Sequence, residues 1–214
     1  MSPIIKRIAL IVGSSRAGGN GPGLANWLSP IVQSRLDRAT SANFNPSTKP
    51  FEVIIVDPTA PPHPLGPVVD GSRMPSQIHN SAEYASESIR SWSAFVASCS
   101  GFVFLTPEYN GGYPGELKNA IDHIFWEWKD KAALVVSYGG GGGARSSAQL
   151  QVVLNSVKLK LTHTNVQIKL PKQFSGGTDR VPLEGADVPE FLAQYVQPVE
   201  EATDELVLIL TLAV

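Results

Sequence analysis

Cysteine is almost missing from this chain: Cys99 is the only one in 214 residues. A single thiol excludes an intramolecular disulfide and a cysteine-built metal centre, and it fits a reducing compartment. Cys99 follows Val96 and Ala97 in an apolar helical stretch with no cation near it in sequence, so it reads as inert core. Charge is sparse and balanced, with 17 Lys and Arg against 19 Asp and Glu, a net charge of −2 and a pI near 6.1. That balance excludes a bulk-charge argument for nucleic acid or a membrane surface. No apolar run approaches the roughly 20 residues that span a bilayer. The longest, Leu206 to Val214, has nine and includes Thr211. The opening MSPIIKRIALIVG holds two basic residues and no small-residue cleavage site, so it reads as a first strand and not as a signal peptide. A cytoplasmic protein is expected. His63, His79, His123 and His163 are scattered without paired ligand spacing, and no metal site is expected. There is no GxSxG nucleophile elbow.

What the chain does have is glycine, proline and an alternation of apolar runs with helical patterns. Ile8–Val12, Phe51–Val56, Gly101–Thr106, Ala132–Ser137 and Val166–Leu170 read as strands. Leu24, Leu28, Ile31, Val32 and Leu36 mark a first helix, and Ala82 to Ser98 a second. A third starts near Gly115, a fourth covers Arg145 to Leu159, and a last begins near Val188. Arg38 to Pro50 reads as a polar loop, and Pro58 to Pro75, with six prolines, as a surface excursion. No repeat or linker divides the chain, so one domain over residues 1–214 is expected. Five strands alternating with five helices predict an α/β, doubly wound parallel sheet with helices on both faces. The order 2-1-3-4-5 is the choice among such sheets, and it makes strands 1, 3 and 4 neighbours.

Three loops would then share one edge. The first, Gly13 to Gly23, offers converging main-chain N–H groups at a helix start and the cation of Arg16, which favours phosphate binding over a merely flexible connection. It is neither a Walker A loop, since no lysine follows, nor GxGxxG. The second, Thr106 to Pro114, has Pro107 to set direction, Glu108 and Asn110 to bond a ring edge, and Tyr109 as a flat face. On residues alone it reads equally as a tight turn with a surface tyrosine. The third, Ser137 to Arg145, contains five consecutive glycines that let a planar ligand lie against bare backbone. A GxGxxA can be drawn in it, but no acid lies between Asp130 and Asp179 to hold a ribose, so a dinucleotide fold is a weak reading. The cations of that interval, from Lys131 to Lys172, read as a solvated basic surface in preference to a positive face that attracts a phosphorylated nicotinamide cofactor.

At these loops the sequence resembles the NADPH-dependent FMN reductase family. Gly13, Ser14, Arg16 and then Gly21-Pro22 match its Gly-Ser-x-Arg signature and small-residue turn. Pro107 to Asn110 match Pro-Glu-Tyr-Asn, Pro114 to Asp122 match Pro-Gly-x-Leu-Lys-Asn-Ala-Ile-Asp, and Ser137 to Arg145 match the glycine turn. Gly18 and Gly19 stand where many members carry Ser or Arg. The resemblance covers roughly Lys6 to Leu159 and implies a flavodoxin-like fold with bound FMN. It implies that Ser14, Arg16, Asn20, Gly21 and Pro22 surround the phosphate, that Pro107, Glu108, Tyr109 and Asn110 run beside the isoalloxazine ring, and that Tyr138, Gly139, Gly140 and Gly141 lie at its other edge. NADPH or NADH would pass hydride to FMN and be replaced by a quinone, flavin or similar small electron acceptor, a ping-pong cycle with no acid–base catalytic residue. A homodimer or dimer of dimers is implied, with Trp126 and Trp128 bordering the partner's pocket if they are not core. The alternatives are a flavodoxin-type electron carrier, which near-neutral charge disfavours, and an FMN-binding sensor.

Overall fold

A computed structural model of the chain describes residues 5–41, 51–63, 66–67, 71–183 and 188–212. Its centre is a parallel sheet of β1 (Lys6–Val12), β2 (Phe51–Val56), β3 (Cys99–Pro107), β4 (Ala132–Gly139), β5 (Lys160–Leu161) and β6 (Val166–Lys169). The order is β2-β1-β3-β4, with both short strands on the far side of β4. The expected 2-1-3-4-5 sheet is therefore present, except that its fifth place is filled by two pieces. β5 pairs with the start of β4, at Ala132 and Ala133, and β6 with its end, from Val136 to Gly139.

Between those pieces the chain leaves the sheet, and the carboxylate of Glu205 fastens it. That group accepts from the His163 and Thr164 main-chain N–H groups at 2.7 and 3.0 Å, and also from the Thr164 hydroxyl. The polar run Lys160 to Asn165 hides this first piece from any apolar-run reading, because β5 is only two residues long.

Both faces of the sheet are covered, which explains the continuous apolar strands. Ile8, Leu10 and Val12 point towards α1 (Gly21–Ser41) and α6 (Val196–Leu212), while Ala9 and Ile11 point towards the other layer. That layer is α2 (Glu87–Ser98), α3 (Gly115–Asp122) and α4 (Ala144–Ser156). Helix α1 runs three residues beyond Arg38, further than expected, and tolerates Pro30 because that residue is exposed and water can take the bond it breaks. Helix α2 begins at Glu87 instead of Ala82: a 3₁₀ turn, Ser81–Glu83, capped by Asn80, precedes it and lets Tyr84 turn inward. A second such turn, Glu190–Tyr195, delays α6 to Val196. Residues 42–50 of the polar loop and 64–65 and 68–70 of the proline-rich excursion lie outside the described residues.

Cys99 is buried, and its thiol donates to the Phe95 carbonyl at 3.3 Å. Burial pushes it up, although the fold brings Lys131 close enough to oppose that. Trp128 is fully buried against Trp92, Phe102 and Phe104 and donates to the Ile121 carbonyl at 3.2 Å. Of the two readings open for it, core packing is the one observed. Trp126 instead stacks on His79 at 4.7 Å and donates to the Ser76 carbonyl at 2.9 Å, tying the segment just after the excursion to the one just after α3.

Candidate functional site

The strand order places the carboxyl ends of β1, β3 and β4 side by side, and their three following loops meet in one cleft of about 310 Å³. Every residue that the resemblance places at the cofactor lines it except Asn110 and Gly141. Asn110, with φ of 51°, and Gly111, at 84°, form the turn of a small hairpin in which Tyr109 and Gly112 exchange main-chain bonds of 2.8 and 3.0 Å. In that turn Asn110 is exposed and does not line the cleft, while Tyr109 does.

The first loop passes close to β3 at its start, where a side chain would be crowded. The Gly13 N–H donates to the Leu105 carbonyl at 2.7 Å, and a Cβ there would sit 3.0 Å from that same oxygen. The loop is then pinned from α3: Glu116 accepts from the Ser15 N–H and hydroxyl at 3.1 and 3.0 Å. Burial pushes the Glu116 carboxyl up. The bonds from its own N–H and from Ser15, with the Arg16 charge, outweigh burial and hold it below the ordinary value.

Tyr109 bridges the first two loops. Its hydroxyl shares a 2.5 Å hydrogen bond with the Ser14 hydroxyl, and the Arg16 guanidinium lies over its ring at 3.8 Å. Glu108 bridges the second and third. Its carboxylate accepts from the Arg145 guanidinium Nε at 2.8 Å and from the Arg145 N–H, at the start of α4, at 3.3 Å. Its side chain is thus engaged in joining loops, and the residue also lines the cleft.

The third loop is a tight turn that glycine makes possible. Gly143 has φ of 74°, and a Cβ on it would lie 2.9 Å from both the Ser137 Cβ and the Tyr138 nitrogen. Gly140, by contrast, faces the cleft, where a Cβ would meet only Ser175 at ordinary contact distance. Tyr138 is nearly buried, and burial raises its pKa, so its hydroxyl keeps its proton at neutral pH.

A fourth wall has no counterpart in the sequence reading. Leu170, Phe174, Ser175 and Arg180 line the cleft from the segment around α5 (Lys172–Ser175). Asn20 holds that segment in place: its amide donates to the Phe174 carbonyl at 2.8 Å and accepts from the Val181 N–H at 2.9 Å. Leu170 ends the fifth strand read from the sequence, but no local signal marks Phe174, Ser175 and Arg180, because their pattern is that of an ordinary polar loop. A second cavity, about 370 Å³ between β5 and the end of α6, gathers none of the three loops.

The family model for NADPH-dependent FMN reductase matches residues 6–172. The chain belongs to that family. NADPH-dependent FMN reductases are oxidoreductases, and the match takes in all three loops of the cleft but stops within α5. An NAD(P)H-dependent FMN reductase of a Nectria species is 34% identical over 174 residues, which is 81% of this chain and 78% of that one. An NAD(P)H:quinone oxidoreductase of Solanum tuberosum is 33% identical over 160 residues, 71% of this chain and 68% of its own. The fold is also that of a flavoenzyme NAD(P)H:(acceptor) oxidoreductase from Paracoccus denitrificans, with a TM-score of 0.63, 22% identity and coverage of 95% of this chain and 98% of that one.

Proposed function

We propose that the chain is an FMN-dependent NAD(P)H oxidoreductase that delivers reducing equivalents to a quinone, a flavin or a similar small acceptor. The observation that carries this reading is that a single cleft joins a cationic anchor to bare main chain. Arg16 and the start of α1 line it together with Gly139 and Gly140, and the Tyr138 hydroxyl lies beside Gly21, where a Cβ would sit 3.0 Å from it. A phosphorylated planar group suits this combination.

The residues fit FMN by their donor chemistry. Ser14, Arg16 and the main-chain N–H groups of Asn20 and Gly21, which helix geometry leaves without partners inside α1, would hold the phosphate. Pro107, Glu108 and Tyr109 would border the ring on one side, and Tyr138 to Gly140 on the other. When bound, the flavin supplies the hydride-level redox chemistry, which none of these side chains can perform. The protein's own share is to bind and orient. Tyr138 offers a protonated hydroxyl, and the glycine turn presents main chain where a side chain would block a planar ligand. Asn20 acts by positioning the fourth wall as well as by its N–H. The wall carries no group assigned as acid or base, and one open face serving two planar partners in turn gives ping-pong order. The working unit in this reading is a cytoplasmic homodimer or dimer of dimers.

The test is direct. The protein is loaded with FMN, freed of excess, and mixed with NADPH without oxygen. A bound-flavin spectrum that bleaches and returns on adding a quinone is the expected result. Bound flavin that NADPH cannot bleach would show a carrier or sensor, and no retained flavin would refute the cleft assignment.

A further inference from the structure

The loop after β1 has a bare tip. Gly18 and Gly19 carry no side chain, and Arg16 is its one cation between Gly13 and Gly23. A phosphate monoester carries about −1.5 to −2 charges at neutral pH. One guanidinium leaves much of that unbalanced, and here it is laid across the Tyr109 ring on the β3 side of the cleft.

A second cation reaches the tip from 162 residues away. The Arg180 Nε donates to the Gly18 carbonyl at 2.5 Å, and its Nη1 donates to the carbonyls of Gly177 and Asp179 at 2.9 and 2.6 Å. Three main-chain acceptors fix the plane of the guanidinium against the loop without neutralising it. Among the described residues no carboxylate pairs with Arg180, its bonds to these carbonyls use Nε and Nη1 only, and the residue lines the cleft. The segment that carries it is seated independently of that contact. Asn20 clamps it through Phe174 and Val181, and it presses on α1 so closely that a Cβ at Gly23 would lie 2.0 Å from the Val181 carbonyl oxygen. Arg180 lies beyond residue 172, where the family match ends, so the shared pattern does not assign it.

We propose that Arg180 is the second cation of the anion-holding end and selects phosphorylated flavin over riboflavin. This rests on the reading of the cleft as the FMN site. Flavin-free protein is titrated separately with FMN and with riboflavin, following flavin fluorescence at two salt concentrations, for the natural chain, R180Q and R180K. R180Q should bind FMN about tenfold or more weakly, as loss of a charge-assisted contact implies, with riboflavin unchanged and a shallower salt dependence. R180K keeps charge but not the fork, and should lose about threefold in its preference for FMN. Equal FMN affinity in R180Q and the natural chain overturns the proposal and leaves the cleft reading standing. Equal loss for both flavins also overturns it, since Arg180 would then only hold the loop. A natural chain that binds neither flavin refutes the cleft reading and the proposal together. Should R180Q lose its native circular dichroism, R180K decides: an unchanged preference overturns the proposal.

Discussion

Single side chains in the cleft separate binding from folding. Arg16 stacks on Tyr109 and is exposed, so Arg16→Ala should leave the melting temperature nearly unchanged. FMN affinity should fall by about 1.5–3 kcal/mol, the range for a hydrogen bond to a charged group, and equal Kd values would remove Arg16 from the phosphate end. Two glycines of one turn should behave in opposite ways. Gly140→Val projects into open cleft and should abolish flavin binding in a stable protein. Gly143→Ala forces a side chain into positive φ and against Ser137 and Tyr138, so it should lower thermal stability, read by calorimetry. Trp128→Ala empties the most aromatic part of the core and should cost about 3–5 kcal/mol in denaturant unfolding. A variant of full stability would contradict its place in the packing.

At the level of elements, the site is a set of loops that hold one another. Glu116 of α3 pins the first loop, Tyr109 joins it to the second, and Glu108 joins the second to the start of α4. Asn20 adds the fourth wall, and its side chain is the link most open to test. Asn20→Ala leaves the N–H of buried Val181 without its acceptor. The expected cost is about 1–3 kcal/mol. Hydrogen exchange should show that loss as faster opening of residues 174–181 with β1, β3 and β4 still protected, and exchange that rises evenly throughout would speak against a local clamp.

Below neutrality the whole molecule should lose stability as pH falls, and the signs can be followed group by group. Glu116 and Glu205 lie below their ordinary value of 4.5 in the fold. Their contribution is therefore complete above that value and is lost as pH falls through their lowered native pKa values. For His123 burial is the largest effect, and it outweighs the Gly66 carbonyl and Asp122 to leave the pKa below 6.5. The native state thus resists charging His123, and stability starts to fall as pH drops below 6.5, before either carboxylate titrates. Urea midpoints measured from pH 8 to pH 4 should decline in that order. His123→Gln should flatten the part between pH 7 and 5, and a natural chain with a level midpoint there would contradict the assignment. Among the described residues no helix is long and apolar enough to cross a membrane, in agreement with the short apolar runs.

The alternation of apolar runs determined the parallel sheet by itself, because strands buried on both faces can carry few polar residues. The loop motifs determined which edge holds the cleft, since strand order makes the ends of β1, β3 and β4 neighbours. Only tertiary structure decided the rest. The edge strand is broken between Leu161 and Val166 because Glu205, far along the chain, satisfies the main chain that the break exposes. Asn20 faces a main-chain clamp, and Glu108 an arginine, because partners in other loops compete for the same polar atoms. Arg180 has no local signature at all. Its place at the tip of the first loop depends on three carbonyls and on a segment anchored by α1, and contacts between distant parts of a chain leave no periodicity to read.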